Sequence, residues 1–411
     1  MGPFSVVFTF LLTASLAYYV YTPFPDGVEE PWKLMLLDAT FRTAAKFAIL
    51  KQHLGFGHYI RSIRRFREVL LESDAGEDFV PGVKVSDVTF SGVPVRVYEA
   101  SGGQGGLRRG LLYFHGGGWA LGRAKKGSYD KLTRIMSAEL DAVVVSVDYR
   151  LYPEVQFPEP YLDCLAAAKH FLSAEVLSRY SVDPERVGVS GDSAGGNLAA
   201  AVAQEISQDS SMTVKFSAQA LVYPALQALD FHTPSCIQNQ NIPVLSRSSL
   251  VQFWIQYLGV DLSLKEPFLS NQHSGLQQPL LTPELRARFN WTLLLSAEHQ
   301  KNQSPVVAGQ GLEGILEKVP GLLDIRASPL LANPEVLSKC PKAYILTCEF
   351  DVLRDDGLMY TQRLQNVGVQ VTNAHYKDGF HGCFSMLFWP LEFDVGRRAF
   401  RHYISWLQDN L

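Results

Sequence analysis

Two short runs in this chain have residue types and spacing suited to acyl-transfer chemistry. Ser193 sits in Gly191-Asp192-Ser193-Ala194-Gly195, and upstream stands His115-Gly116-Gly117-Gly118-Trp119. The first offers a hydroxyl nucleophile on a sharp turn. The second offers a glycine loop whose backbone amides can hold a developing oxyanion. Gly-x-Ser-x-Gly recurs by chance, so its surroundings have to decide. Residues 186–190 read as a buried strand entering the motif, and 198–203 as a helix leaving it. A serine in a cramped backbone conformation needs that strand–turn–helix setting, with small neighbours such as Gly191 and Gly195.

A serine hydroxyl is a poor nucleophile near neutrality. It needs a base, and the base needs an acid to hold its tautomer. Downstream, residues 343–348 form a strand run that ends at Glu349-Phe350-Asp351. A helical pattern follows at 357–364, a second strand at 369–376, and then Asp378-Gly379-Phe380-His381-Gly382. Asp351 and His381 are therefore expected on loops closing two successive strands of one sheet, at their C-terminal ends. Of ten histidines, His381 is the one with a glycine-flanked loop setting after the last strand. In this reading Ser193 attacks a carbonyl carbon, His381 takes its proton and Asp351 holds the imidazole. The amides of Gly116, Gly117 and Ala194 are the expected oxyanion donors. His115 braces the loop, of which Gly118 is part. Asp192 either pins the turn through hydrogen bonds or points away from the site. No metal ligand or cofactor is required.

These residues need a scaffold. Apolar strand runs at 111–114, 142–147, 186–190 and 218–223 alternate with helical patterns. The fold class expected is α/β, a mostly parallel sheet with helices on both faces. Ser101 to Gly106 reads as a connector, because it lacks the strand-before, helix-after setting of a nucleotide-binding loop. The stretch from Glu30 to Glu72 reads helical, with Leu34, Leu37, Phe41, Ala45 and Ala48 at three- and four-residue spacing. It is either a layer packed on the core or a cap over the site, facing acyl chains and close to the membrane. Arg61, Arg64, Arg65 and Arg67 read there as a solvated helix face, the alternative being a contact to anionic lipid headgroups. Between 225 and 340 the pattern loosens into an insertion, the expected second part of the cap. Its Phe253, Trp254 and Tyr257 either shape an acyl or aryl pocket or merely pack.

At this point the chain resembles the hormone-sensitive-lipase-like branch of the α/β-hydrolases, and within it the arylacetamide deacetylase family. The resemblance rests on the glycine loop, on Asp148-Tyr149-Arg150-Leu151-Tyr152-Pro153-Glu154, on the serine motif continued by Gly196-Asn197, on Asp351-Val352-Leu353-Arg354-Asp355-Asp356-Gly357 and on the His381 motif. It runs from about residue 80 to the C-terminus. It implies an α/β-hydrolase fold with a helical cap, Ser193, Asp351 and His381 as its nucleophile, acid and base, and serine ester hydrolysis. Small-acyl esters, acetylated aromatic amines and neutral lipid esters are the substrates it implies. In one departure, close relatives often carry a cysteine after the glycine-tryptophan run where this chain has Ala120, so a disulfide from that position does not arise.

Location is read from the N-terminus. Residues 2–25 carry no charged side chain, and about 20 of them form an apolar run, enough to span a bilayer. Acidic residues follow the run, so the positive-inside rule puts the C-terminal bulk in the lumen. Residues 1–25 thus read as a type II signal anchor, 26–80 as a helical cap segment and 81–411 as the catalytic domain. The expected setting is the endoplasmic reticulum membrane; the alternative is a cleaved signal and secretion. Sequons at Asn290 and Asn302 make both glycosylation candidates. The five cysteines form no metal or redox pattern, and their odd number leaves at least one without an intramolecular partner. A net charge of −4 over 411 residues gives no reason to expect nucleic acid. The expected partners are a small apolar ester or amide and the lipid bilayer. A catalytically silent receptor for an apolar ligand on the same fold is the competing reading.

Overall fold

The computed structural model describes residues 3–70, 76, 79–101, 106–301, 303–306, 311–388 and 392–411. Eight strands form one sheet: β1 (Val83–Phe90), β2 (Val93–Ala100), β3 (Arg108–Phe114), β4 (Ala142–Val147), β5 (Val182–Asp192), β6 (Ala218–Val222), β7 (Lys342–Phe350) and β8 (Val371–Phe380). Their order is β1-β2-β4-β3-β5-β6-β7-β8. β1 and β2 pair antiparallel at one edge, β2 meets β4 antiparallel, and β3 through β8 run parallel. The central β4 and β6 are buried along their whole length because both sheet faces are covered, while β3, β5 and β8 carry polar residues towards their ends. Alternate residues feed opposite cores: Leu112 and Phe114 enter one, Leu111 and Tyr113 the other.

The helices follow the chain as α1 (Pro3–Val20), α2 (Pro31–His53), α3 (Tyr59–Leu70), α4 (Gly127–Leu140), α5 (Glu159–Phe171), α6 (Ala194–Gln208), α7 (Arg247–Leu258), α8 (Arg354–Asn366) and α9 (Asp394–Asn410), with shorter turns between them. α5, α6 and α8 cover one face of the sheet; α4 and α9 cover the other. The strands expected from the sequence are present, some with ends shifted by a few residues, and the connector is placed between β2 and β3, although its residues 102–105 lie outside those described.

The helical stretch expected from Glu30 to Glu72 is two helices broken at Gly55-Phe56-Gly57; residues 71 and 72 lie outside those described. The arginine cluster expected to be a solvated face is not one throughout. Arg64 has its side chain largely covered, and it donates to the Ala120 carbonyl at 3.0 Å, to the Tyr152 carbonyl and to Glu154. Arg61 joins it on Glu154 at 3.2 Å. These bonds fasten α3 to the segment behind the glycine loop, which the spacing of arginines along one helix could not reveal.

α1 is apolar, uncharged and exposed along nearly all its length. Among the described residues no helix is long and apolar enough to cross a membrane. The end of α1 is held against α2: Arg42 donates to the Tyr19 carbonyl at 2.8 Å, and the Tyr19 hydroxyl lies 3.1 Å from that of Thr43.

Candidate active site

β5 ends at Asp192, and α6 begins at Ala194. Ser193 between them has φ 56° and ψ −118°. A side chain rarely adopts this conformation, which costs on the order of 1–3 kcal/mol and holds only where the surroundings dictate it. Here they do. The Ser193 amide donates to the Val222 carbonyl at the end of β6, and its own carbonyl accepts the Asn197 amide. Gly195 is required because an added Cβ there would lie 2.0 Å from the Phe114 carbonyl oxygen. The turn thus lifts the hydroxyl above the C-terminal edge of the sheet.

β7 and β8 are parallel neighbours, and Asp351 and His381 follow directly on their last residues. His381 Nε2 lies 3.0 Å from Ser193 Oγ, and His381 Nδ1 lies 2.8 Å from Asp351 Oδ2. All three side chains are buried. The second Asp351 oxygen accepts the Leu353 amide at 2.8 Å, and Asn239 Nδ2 donates to the Asp351 backbone carbonyl at 3.1 Å. The structure therefore brings together the three side chains separated by up to 188 positions in the chain. The arrangement can accept a proton from the serine and hold the imidazole that takes it.

The glycine loop is placed by Asp192. This carboxylate accepts from the Tyr113 hydroxyl at 2.9 Å, the Tyr129 hydroxyl at 2.9 Å and the Gly116 amide at 2.9 Å. Of the two expectations for Asp192, pinning is the one observed. Burial raises its carboxyl above the usual range, while the three hydrogen bonds pull it down. One consequence corrects the sequence reading. The Gly116 amide is engaged by Asp192 and by Tyr129, so it is turned away from the cavity and is no oxyanion donor. Gly117, Gly118 and Ala194 line the cavity beside Ser193, and Gly116 does not. Among the described residues no acceptor engages the amides of those three. Replacing Asp192 with alanine should leave the hydroxyl protons of Tyr113 and Tyr129 without their acceptor in the interior and the Gly116 amide with the Tyr129 oxygen alone. A loss on the order of 3 kcal/mol in chemical denaturation is expected, and unchanged stability would rule out this pinning role.

His115 sits inside the loop. It is buried, stacks on Tyr149 at 4.4 Å between ring centres, and sits 2.9 Å from the Gly116 carbonyl through Nδ1. Burial pushes its imidazole down to about 4, so it is neutral near pH 7. The other end of the loop is fastened by Trp119, which stacks on Tyr257 at 4.1 Å and lies 4.6 Å from Trp254. The three aromatics on α7 therefore divide: Trp254 and Tyr257 pack, while Phe253 lines the cavity, its ring where a Cβ on Gly118 would lie at 2.5 Å. A helix rotation separates them, and sequence spacing does not show which way that helix faces.

The cavity above Ser193 holds about 470 Å³. Its wall is largely apolar: Phe41 and Ala45 from α2, Ile60 and Ile63 from α3, and Leu250 and Phe253 from α7. Sequence reasoning missed Tyr113, Tyr129 and Asn239, which carry no local motif, and quoted Tyr149 only as part of a motif without a role. Asp355 and Asp356, quoted only as part of a motif, prove to be ties to the insertion. Asp355 accepts the Ser235 amide at 2.6 Å, and Asp356 accepts the Leu226 amide at 2.8 Å. Asn290 is half-buried and caps a short helix through Oδ1, 3.0 Å from the Thr292 amide; Asn302 lies outside the described residues. All five cysteines are buried free thiols.

A serine on a strand–helix turn, set above the C-terminal edge of a mostly parallel sheet, defines a class of hydrolases. A family described as alpha/beta hydrolase fold matches residues 111–285 and 295–385, and the chain belongs to it. It is 49% identical over 405 residues to neutral cholesterol ester hydrolase 1 of Bos taurus, covering 98% of each chain. It is 45% identical over 401 residues to arylacetamide deacetylase of Bos taurus, again covering 98% of each. Among solved structures, a thermostable carboxylesterase cloned from a metagenomic library matches with TM-score 0.60 at 27% identity, over 86% of this chain and 97% of that one. The class of enzyme is a serine ester hydrolase.

Proposed function

We propose that the chain hydrolyses carboxylic esters of apolar molecules through an acyl-enzyme on Ser193. The observation that carries this is the hydrogen-bonded line Asp351–His381–Ser193 opening into the apolar cavity. His381 Nε2 takes the hydroxyl proton as Ser193 Oγ bonds to the carbonyl carbon. The oxyanion is held by the amides of Gly117, Gly118 and Ala194, and His381 then returns the proton to the leaving oxygen. Water repeats the sequence on the acyl-enzyme. An arylacetamide has a poorer leaving group and depends more on that proton, so esters are the faster substrates. The names of the relatives support sterol esters and arylacetamides as the classes to test. α2, α3 and the insertion at 225–340 act as the cap.

The uncharged N-terminal stretch supports an anchor role for α1, with the catalytic domain on the lumenal side of the endoplasmic reticulum and Asn290 and Asn302 as candidate glycan sites. Helix α1 rises roughly 27 Å, against about 30 Å of hydrocarbon in a bilayer.

A fluorophosphonate probe should label Ser193 at one mole per mole of protein. Labelling elsewhere, or none, would sink the assignment and revive a silent receptor. In a p-nitrophenyl ester series from acetate to palmitate, a maximum at short chains marks a deacetylase-like preference, and a maximum at long chains marks a lipid-ester preference. Phe253 closes the cavity beside Gly118, so Phe253→Ala should move that maximum towards longer acyl chains. An unmoved maximum would show that Phe253 does not bound the acyl site.

A further inference from the structure

The α2–α3 pair has two apolar faces, and the pocket accounts for only one. Phe41, Ala45, Ile60 and Ile63 face the cavity. On the outside, Phe47 is 63% exposed, Leu50 54%, Leu54 60% and Phe56 70%. These four fall in the last two turns of α2 and in the turn that leads to α3. Large apolar side chains gathered at one end of a helix pair mark a surface that meets another apolar phase.

Two further observations say what that phase is. The first is the position of α1, an uncharged apolar helix with almost no protein around it. Its last turn is fixed on α2 by the Arg42–Tyr19 and Tyr19–Thr43 bonds, and Lys46 Nζ stands 4.9 Å from the centre of the Tyr19 ring. Phe47 and Leu50 follow Thr43 by four and seven positions, roughly 6–10 Å along the axis. Wherever α1 enters lipid, the outer end of α2 lies beside that point. The second observation is charge. Lys46 and Lys51 stand on the same turns of α2 as Phe47 and Leu50, whereas Lys33, Arg42, Arg61 and Arg64 are held in ion pairs with Glu30, Asp38 and Glu154. Basic residues flanking apolar ones are what a bilayer surface with anionic headgroups attracts.

We propose that the α2–α3 pair rests on an anionic lipid surface, with Phe47, Leu50, Leu54 and Phe56 in the interface. The apolar ester then reaches Ser193 from the bilayer along the helices that wall the pocket. The supply of substrate rests on the esterase reading above; the lipid contact does not.

The test uses the full chain bound to vesicles of phosphatidylcholine, with and without phosphatidylserine. All five native thiols are buried, so a cysteine placed by Phe56→Cys or Leu50→Cys takes an environment-sensitive nitrobenzoxadiazole label selectively. Leu107→Cys is the control. Leu107 is 58% exposed and precedes β3, at the sheet edge opposite Ser193. The labels at 56 and 50 should shift to the blue and brighten several-fold, more so with phosphatidylserine, while the control stays unchanged. Phe56→Glu should raise KM for a long-chain ester dissolved in the vesicles about tenfold and leave p-nitrophenyl acetate turnover as it was. Solvent-like emission at 56 and 50 on vesicle-bound protein overturns the proposal, and equal shifts in both vesicle types overturn its charge component. Loss of p-nitrophenyl acetate turnover in the wild type, with the labels still shifted, refutes the esterase reading and leaves the lipid contact standing.

Discussion

Ser193→Ala should lower kcat for p-nitrophenyl butyrate by about 10⁵–10⁶, the loss typical when the nucleophile of a cooperating serine–histidine–acid set is removed. His381 and Asp351 cannot compensate, because they act only through the proton of Oγ, which His381 Nε2 meets at 3.0 Å. KM should change little, since the cavity walls are untouched. Stability should also hold: alanine inherits the same strained φ of 56° and the same amide bond to Val222. Residual rate enhancement of about 10³–10⁴ over water is expected from the oxyanion donors and binding alone. Side-by-side kinetics of purified wild type and variant, with a thermal melt on each, check both halves. A variant that keeps a tenth of the wild-type kcat would refute Ser193 as nucleophile.

Gly195→Ala should be severe for a different reason. The new Cβ would sit 2.0 Å from the Phe114 carbonyl oxygen and 2.6 Å from that of His115. Both are backbone atoms, so no side chain can swing aside. Either the first turn of α6 or the strand end that feeds the glycine loop has to move, and these carry opposite sides of the oxyanion pocket. We expect a stability loss of about 3 kcal/mol, at the upper end for overpacking. A fall in kcat/KM of about 10²–10³ is also expected, as when one oxyanion donor is displaced. Urea titration and ester kinetics measure the two effects. Gly196→Ala is the comparison, because its Cβ would approach no closer than 3.0 Å, to the Pro224 side chain. If the two variants match in stability and rate, the close approach at Gly195 does not constrain the site.

Chemistry carried by local backbone requirements was legible in the chain itself. Ser193 was found because its turn demands small neighbours, and Asp351 and His381 because each follows a strand run at the end where loops gather. Strand alternation and helix spacing likewise predicted the sheet, because burial on both faces leaves a continuous apolar signature. Features that depend on how separate elements face one another carried no such signature. Gly116 and Gly117 are adjacent glycines, and only the Asp192 carboxylate, arriving from another strand, decides which amide is bound and which faces the cavity. Phe253 and Trp254 are neighbours on one helix, and only the rotation of α7 against Trp119 sends one to the pocket and the other to the core. Arg64 looked like a surface charge until the docking of α3 gave it two carbonyls and a carboxylate. Sequence determined which groups could react and in what order along the chain. Tertiary packing decided which backbone amides and which ring meet the substrate, because those are choices between chemically equivalent neighbours that only three-dimensional contacts can break.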